Sequence, residues 1–131
     1  MRQGIKSLLG PKLLLGIAIS YTLLITAALL NPITGAPKIE IPFADKIVHL
    51  IINAGLFVVW ASYVFSGKTK TTKTYTLPLL FLCTLLYGIL IEVVQGSFIP
   101  TRGADFFDVV ANVCGLILGF FAVKLTKKFI Y

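Results

Sequence analysis

Four carboxylates, one histidine and two cations recur in this chain at spacings that could do chemistry. Asp45, His49 and Asn53 follow one another at four-residue intervals, so on a helix they share one face. Glu92 and Gln95 form an i, i+3 pair. Arg102 follows, and then Asp105, Asp108 and Asn112 run into Gly115 and Gly119 as one helical stripe. A carboxylate beside a histidine can move protons, which makes Glu92 and His49 the candidate catalytic pair. Lys46 and Arg102 can hold an anion. Asp and His are also metal ligands, but no tight motif such as H-E-x-x-H occurs, so no metal is assigned. No P-loop, dinucleotide fingerprint or G-x-S-x-G is present either, and no cofactor is expected.

Glu92 carries the most information. It stands in an otherwise uncharged apolar run from Tyr75 to Gln95. An ionisable group at membrane depth is costly and faces a partner or a polar cavity rather than lipid. It also stands near the C-terminal end of its segment, where the helix dipole opposes a negative charge. Its neutralisation has to come from Arg102, His49, Lys46 or its own protonation.

The elements that position these residues follow from composition. Of 131 residues, 57% are hydrophobic and only 13% charged, and the mean hydropathy is +0.94. That excludes an ordinary soluble domain. Four apolar stretches, Leu13–Leu30, Ile47–Phe65, Tyr75–Gln95 and Phe106–Val123, approach or exceed the roughly 18–20 residues that cross a bilayer as a helix. The sequence predicts helices over about 13–30, 46–65, 75–95 and 105–124, joined by short loops that force neighbours antiparallel. Residues 1–131 read as a single all-α domain, an integral membrane four-helix bundle. The basic start and Ala18-Ile19-Ser20 resemble a signal peptide. The apolar stretch runs about ten residues further, so a membrane span is the preferred reading.

Charge sets the orientation. Arg2, Lys6 and Lys12, then Lys68, Lys70 and Lys73, then Lys124, Lys127 and Lys128 fall on one side, nine of the twelve basic residues. The positive-inside rule puts that side and both termini in the cytoplasm. The acids then gather toward the outer leaflet. The net charge of +7 is a topology signal with attraction to anionic lipid, not a nucleic-acid surface, because the basic residues lie in separate flanking triplets.

Structural roles compete for the same residues. Asp45 and Asp105 suit helix N-caps, and Asp108 suits a first turn. Asn53 and Asn112 suit interhelical hydrogen bonds. Gly115-x-x-x-Gly119 suits close helix packing or a homo-oligomer contact. Cys83 and Cys114 read as packed thiols. Ile41-Pro42, Ala44-Asp45 and Gly55 recur as Ile99-Pro100, Ala104-Asp105 and Gly115, a faint echo of a duplicated helical hairpin.

Taken in order, Asp45-Lys46-x-x-His49, Glu92-x-x-Gln95 and Arg102-x-x-Asp105-x-x-Asp108-x-x-x-Asn112-x-x-Gly115 resemble the VanZ-like family of small bacterial membrane proteins. The resemblance covers about Leu13 to Val123. It implies a helical domain of the bacterial cytoplasmic (inner) membrane, in a family whose first named member is linked to teicoplanin resistance. Family members commonly place Phe after the histidine and an aromatic residue four positions after it; Leu50 and Asn53 stand there in this chain. The expected function is recognition, with modification as an option, of a cell-envelope component such as a lipid-linked or peptidoglycan-related head group, with a glycopeptide-resistance link implied by the resemblance. Asp45, Lys46, His49, Glu92, Gln95, Arg102, Asp105, Asp108 and Asn112 would bind it. The alternatives are a membrane hydrolase or transferase acting on a lipid phosphate, and an assembly module without a ligand.

Overall fold

The computed structural model describes residues 10–32, 41–66, 74–101 and 103–130, with the side chains of 127–130 excepted. Four helices account for almost all of it: α1 (Pro11–Leu30), α2 (Ala44–Ser66), α3 (Thr76–Phe98) and α4 (Phe106–Ile130). All four are long and apolar enough to cross a membrane.

The ends differ from the sequence expectation for local reasons. α1 begins at Pro11, because proline is pre-organised for the first helical position and has no N–H to leave unpaired. α2 begins at Ala44, so Asp45 sits in the first turn rather than at the cap. Phe43, just before it, has φ 62°. That left-handed conformation costs a bulky residue roughly 1–3 kcal/mol. α3 runs on through Gly96 to Phe98. Asp105 does cap α4: its Oδ1 accepts the Phe107 N–H at 2.9 Å and its carbonyl accepts the Asp108 N–H at 3.0 Å.

α2 and α4 make the most extensive contact in the molecule. Glycine permits it. A Cβ on Gly115 would lie 2.2 Å from the Leu50 carbonyl oxygen, and one on Gly119 would lie 2.9 Å from that of Ala54. The glycine stripe is thus occupied within the chain, and a homo-oligomer would have to use another face. At one end the core is aromatic. Phe57, Phe81 and Phe120, from α2, α3 and α4, pack with every ring pair 6.1–6.3 Å apart. α1 is held instead by hydrogen bonds. Tyr21 donates to the Ile52 carbonyl at 2.9 Å, Trp60 to Thr22 Oγ1 at 3.0 Å, and Thr26 and Tyr87 share a 2.7 Å bond. In lipid, such bonds and close packing are the main forces between helices, since no hydrophobic drive separates one apolar surface from another.

The cysteines depart from expectation. Cys83 and Cys114 are free thiols on exposed helix faces rather than packed ones. An apolar face on a membrane helix need not be buried in protein, so apolar surroundings in sequence do not predict packing. The echoed segments both lead into a helix, at Ala44 and at Phe106.

Candidate functional site

The polar residues of α2, α3 and α4 meet at the end of the bundle opposite the aromatic core. They lie within the first three turns of α2 and α4 and the last two turns of α3. Exposure falls steadily inward: the side chain of Asp45 is 61% exposed, Asp105 40%, Lys46 28%, Asp108 6%, Glu92 4% and His49 2%.

Lys46 bridges two acids of α4. Its Nζ lies 2.5 Å from Asp105 Oδ2 and 2.9 Å from Asp108 Oδ1. The Lys46 ammonium and the Phe107 N–H hold the Asp105 carboxyl below its ordinary range. Gly96 lets the chain return tightly to this point, since a Cβ there would lie 2.6 Å from that of Ala104.

Deeper in, the hydrogen bonds assign a tautomer. The His49 carbonyl can only accept, so Asn53 Nδ2 donates to it at 2.9 Å. The same amide nitrogen donates to Asn112 Oδ1 at 2.6 Å. Asn112 therefore presents its oxygen to His49 Nδ1, 3.1 Å away, and the imidazole nitrogen must donate. In the neutral ring that puts the proton on Nδ1 and leaves Nε2 as a lone pair. Gly88 makes room for the two asparagines, because a Cβ there would lie 3.2 Å from Asn112 Nδ2 and 3.4 Å from Asn53 Oδ1.

Carboxylates lie on both sides of the ring. Glu92 Oε1 is 3.4 Å from Nδ1, and among the described residues neither Glu92 oxygen makes a close hydrogen bond. On the other side Nε2 faces Asp108 Oδ2 at 3.8 Å and Asp45 Oδ1 at 3.9 Å. Those separations are too long for hydrogen bonds. Such a group can take up or release a proton, and it can bind a cation.

Beside the cluster runs an apolar groove of about 340 Å³, lined by Phe43, Ile47, Leu50, Phe107, Val110, Ala111, Cys114 and the stem of Lys46. Lys46 belongs to both. A second groove, of about 360 Å³, lies toward the aromatic end against Pro78, Phe81 and Phe120, with no polar residue in its wall.

Of the residues singled out in the sequence, Asp45, Lys46, His49, Glu92, Asp105, Asp108 and Asn112 come together. Gln95 does not join them. It turns to α1 and donates to the Leu29 carbonyl at 2.6 Å. Arg102 lies outside the described residues.

The family model for VanZ/LLP1 matches residues 11–127. The chain belongs to the VanZ/LLP1 family. An uncharacterised protein of the yeast Schizosaccharomyces pombe is 33% identical over 102 residues, which is 78% of this chain and 58% of the relative. The chain thus spans little more than half of that relative's length. No solved structure matches it. The VanZ/LLP1 membership and the four spans together make this a multi-pass membrane protein.

The site holds residues that the sequence undervalued. Asn53 fixes the His49 tautomer, and its four-residue spacing from His49 was the available signal. Gly88 and the groove residues gave none, because small and apolar side chains look alike along every membrane helix.

Proposed function

We propose that this VanZ/LLP1 protein binds the polar head of a lipid-anchored phosphate or diphosphate at the α2–α3–α4 cluster and hydrolyses it. In this reading the bundle is antiparallel, both termini are cytoplasmic and the cluster opens to the outer leaflet. The basic triplets at Arg2–Lys12, Lys68–Lys73 and Lys124–Lys128 support that orientation.

One observation carries the reading: Lys46 lines the apolar groove and also pairs with Asp105 and Asp108. An amphiphile with its chain in the groove would bring its head group to the lysine and then to His49. A water at His49 Nε2 would attack phosphorus, its proton passing to the imidazole and its carboxylate neighbours. The bond from phosphorus to the leaving oxygen would break, and that oxygen would take up a proton. Glu92 would stabilise the charged imidazole as it forms. The yeast relative favours a head group common to bacterial and eukaryotic membranes over one confined to a bacterial wall. The glycopeptide link and a place in the bacterial cytoplasmic membrane enter only through the family resemblance.

The test is release of phosphate from a panel of lipid phosphates and diphosphates in mixed micelles by purified protein. Turnover by the wild type, lost in His49→Gln and Glu92→Gln at equal protein level, is expected. A wild type that neither turns over nor binds any of them would overturn the reading.

A structural role is the second reading. It is favoured by the bonds from Asn53 to Asn112 and from His49 to Asn112, which tie α2 to α4. In that case Glu92→Gln lowers the melting temperature, and no ligand binds.

A further inference from the structure

The two sides of the His49 ring are not equivalent. Nδ1 carries the proton and is turned to Asn112, with Glu92 behind it. In the neutral ring Nε2 presents a lone pair, in a residue that is only 1% exposed. What it faces is two carboxylate oxygens, Asp45 Oδ1 at 3.9 Å and Asp108 Oδ2 at 3.8 Å. A lone pair and two anions repel one another unless a proton or a metal ion stands between them. Among the described residues these three side chains form a group whose ligand atoms all lie within 4.8 Å of one another.

We propose that Asp45, His49 and Asp108 bind a first-row divalent cation through Asp45 Oδ1, His49 Nε2 and Asp108 Oδ2. Nitrogen and carboxylate ligands stand about 2.0–2.2 Å from such an ion. Two of them therefore lie about 3.0 Å apart at a right angle and about 4.2 Å apart on opposite sides. The two distances to Nε2 already fall in that range. The carboxylate pair closes the rest by rotation of Asp45, whose side chain is 61% exposed and free to turn. One imidazole among oxygens favours Mn²⁺ or Zn²⁺ over Mg²⁺ or Ca²⁺.

The surroundings fit the same ion. A metal-bound histidine donates its other N–H to a carbonyl or carboxylate, which fixes the ring and raises its basicity. Asn112 Oδ1 accepts from Nδ1, and the carboxylate of Glu92 stands next to that bond, its Oε1 3.4 Å from Nδ1. Lys46 holds Asp108 by Oδ1, so Oδ2 stays available to the ion. The Asp45 side chain is 61% exposed, so water or a phosphate oxygen can reach the ion from that side.

The ion occupies the cluster assigned above to a phosphate head group. The proposal rests on that reading for what the ion does, not for whether it binds. Asp45, Glu92, Asp105 and Asp108 would repel a phosphate, Lys46 is the cation facing them among the described residues, and a divalent ion supplies further positive charge. Water activation would then pass from the imidazole lone pair to the ion, and its proton would leave through Asp45.

The experiment is a Mn²⁺ titration of chelator-stripped protein in detergent, reading free Mn²⁺ by its electron paramagnetic resonance signal. The wild type should bind one ion per chain. Asp45→Asn, a substitution at an exposed side chain that leaves the fold in place, should bind at least tenfold more weakly. His49→Gln should lose the ion, and Glu92→Gln should bind about tenfold more weakly. Circular dichroism checks each variant, and Asp45→Asn carries the test if His49→Gln does not fold. Fewer than one ion per ten wild-type chains, or equal binding by wild type and Asp45→Asn, overturns the proposal and makes a proton the occupant. Phosphate release that survives the chelator overturns the part given to the ion in water activation while leaving the lipid-phosphate reading intact. One tightly bound ion with no turnover of any lipid phosphate supports it and removes that reading instead.

Discussion

The two ends of the α2–α4 contact are built on opposite rules. At one end Phe57, Ala61 and Leu116 are fully buried, and rings from three helices fill the space between them. At the other end His49, Asn53, Asp108 and Asn112 occupy the corresponding interior and Glu92 joins them from α3. Among the described residues, Asn53 Oδ1 and both oxygens of Glu92 there make no close hydrogen bond, while Asp108 Oδ1 pairs with Lys46 at 2.9 Å. A group assembled for stability would satisfy those atoms or replace them with carbon, since an unpaired buried charge costs several kcal/mol. The aromatic end holds the bundle together, and the polar end is held by it.

The sharpest way to break that contrast is at the junction. Gly115→Ala places a methyl against the Leu50 carbonyl, backbone on backbone, with no flexible side chain to give way. We expect a loss of about 3 kcal/mol or more, read as a collapse of the monodisperse peak in detergent and a lowered melting temperature. Both ends should fail together.

Phe57→Ala tests the aromatic end alone. It removes the ring that touches both Phe81 and Phe120. The expected cost is about 3 kcal/mol of stability, with ligand or ion binding unchanged in the fraction that stays folded. Binding that falls in step with stability would mean the two ends are not separate.

Glu92→Gln is the mirror experiment. It replaces a buried carboxylate with a neutral group of the same shape. Stability should stay level or rise by about 1–2 kcal/mol, while turnover falls on the order of 100-fold. Melting curves and phosphate release measured on one preparation decide it. A lower melting temperature would assign Glu92 to the framework.

The smallest effect belongs to the rim. The Asp105 carboxyl is held below its ordinary range by Lys46. Its bond therefore contributes in full above the usual aspartate range and is lost as pH falls through the lowered value. The difference in melting temperature between wild type and Asp105→Asn should be constant from neutral pH down to about pH 5 and shrink below about pH 4. A difference that grows on acidification would reverse the sign and refute the pairing.

Particular residues show how far the sequence could be read. The spans were legible because bilayer thickness sets a length and apolar composition fills it. Their ends moved by a few residues wherever Pro11, Asp45 or Gly96 set a local rule. The cluster was legible because costly groups recur at helical spacing on α2, α3 and α4. The turn of Gln95 toward Leu29 was not, because i, i+3 spacing places two residues on neighbouring turns without saying which neighbour each meets. Nor were the exposed thiols or the groove, since a membrane helix is apolar on its lipid side and its protein side alike.

By itself, then, the amino-acid order determined that this chain spans a membrane with four helices and brings acids, a histidine and a lysine to comparable depth. Periodicity and hydropathy are local properties, and they suffice for that. Only the packed bundle decided which nitrogen of His49 faces Asn112, that Lys46 joins a groove to a charged cluster, and that Glu92 lies 3.4 Å from the His49 ring. Each of those depends on distances between atoms far apart in sequence, and no spacing along one helix contains them.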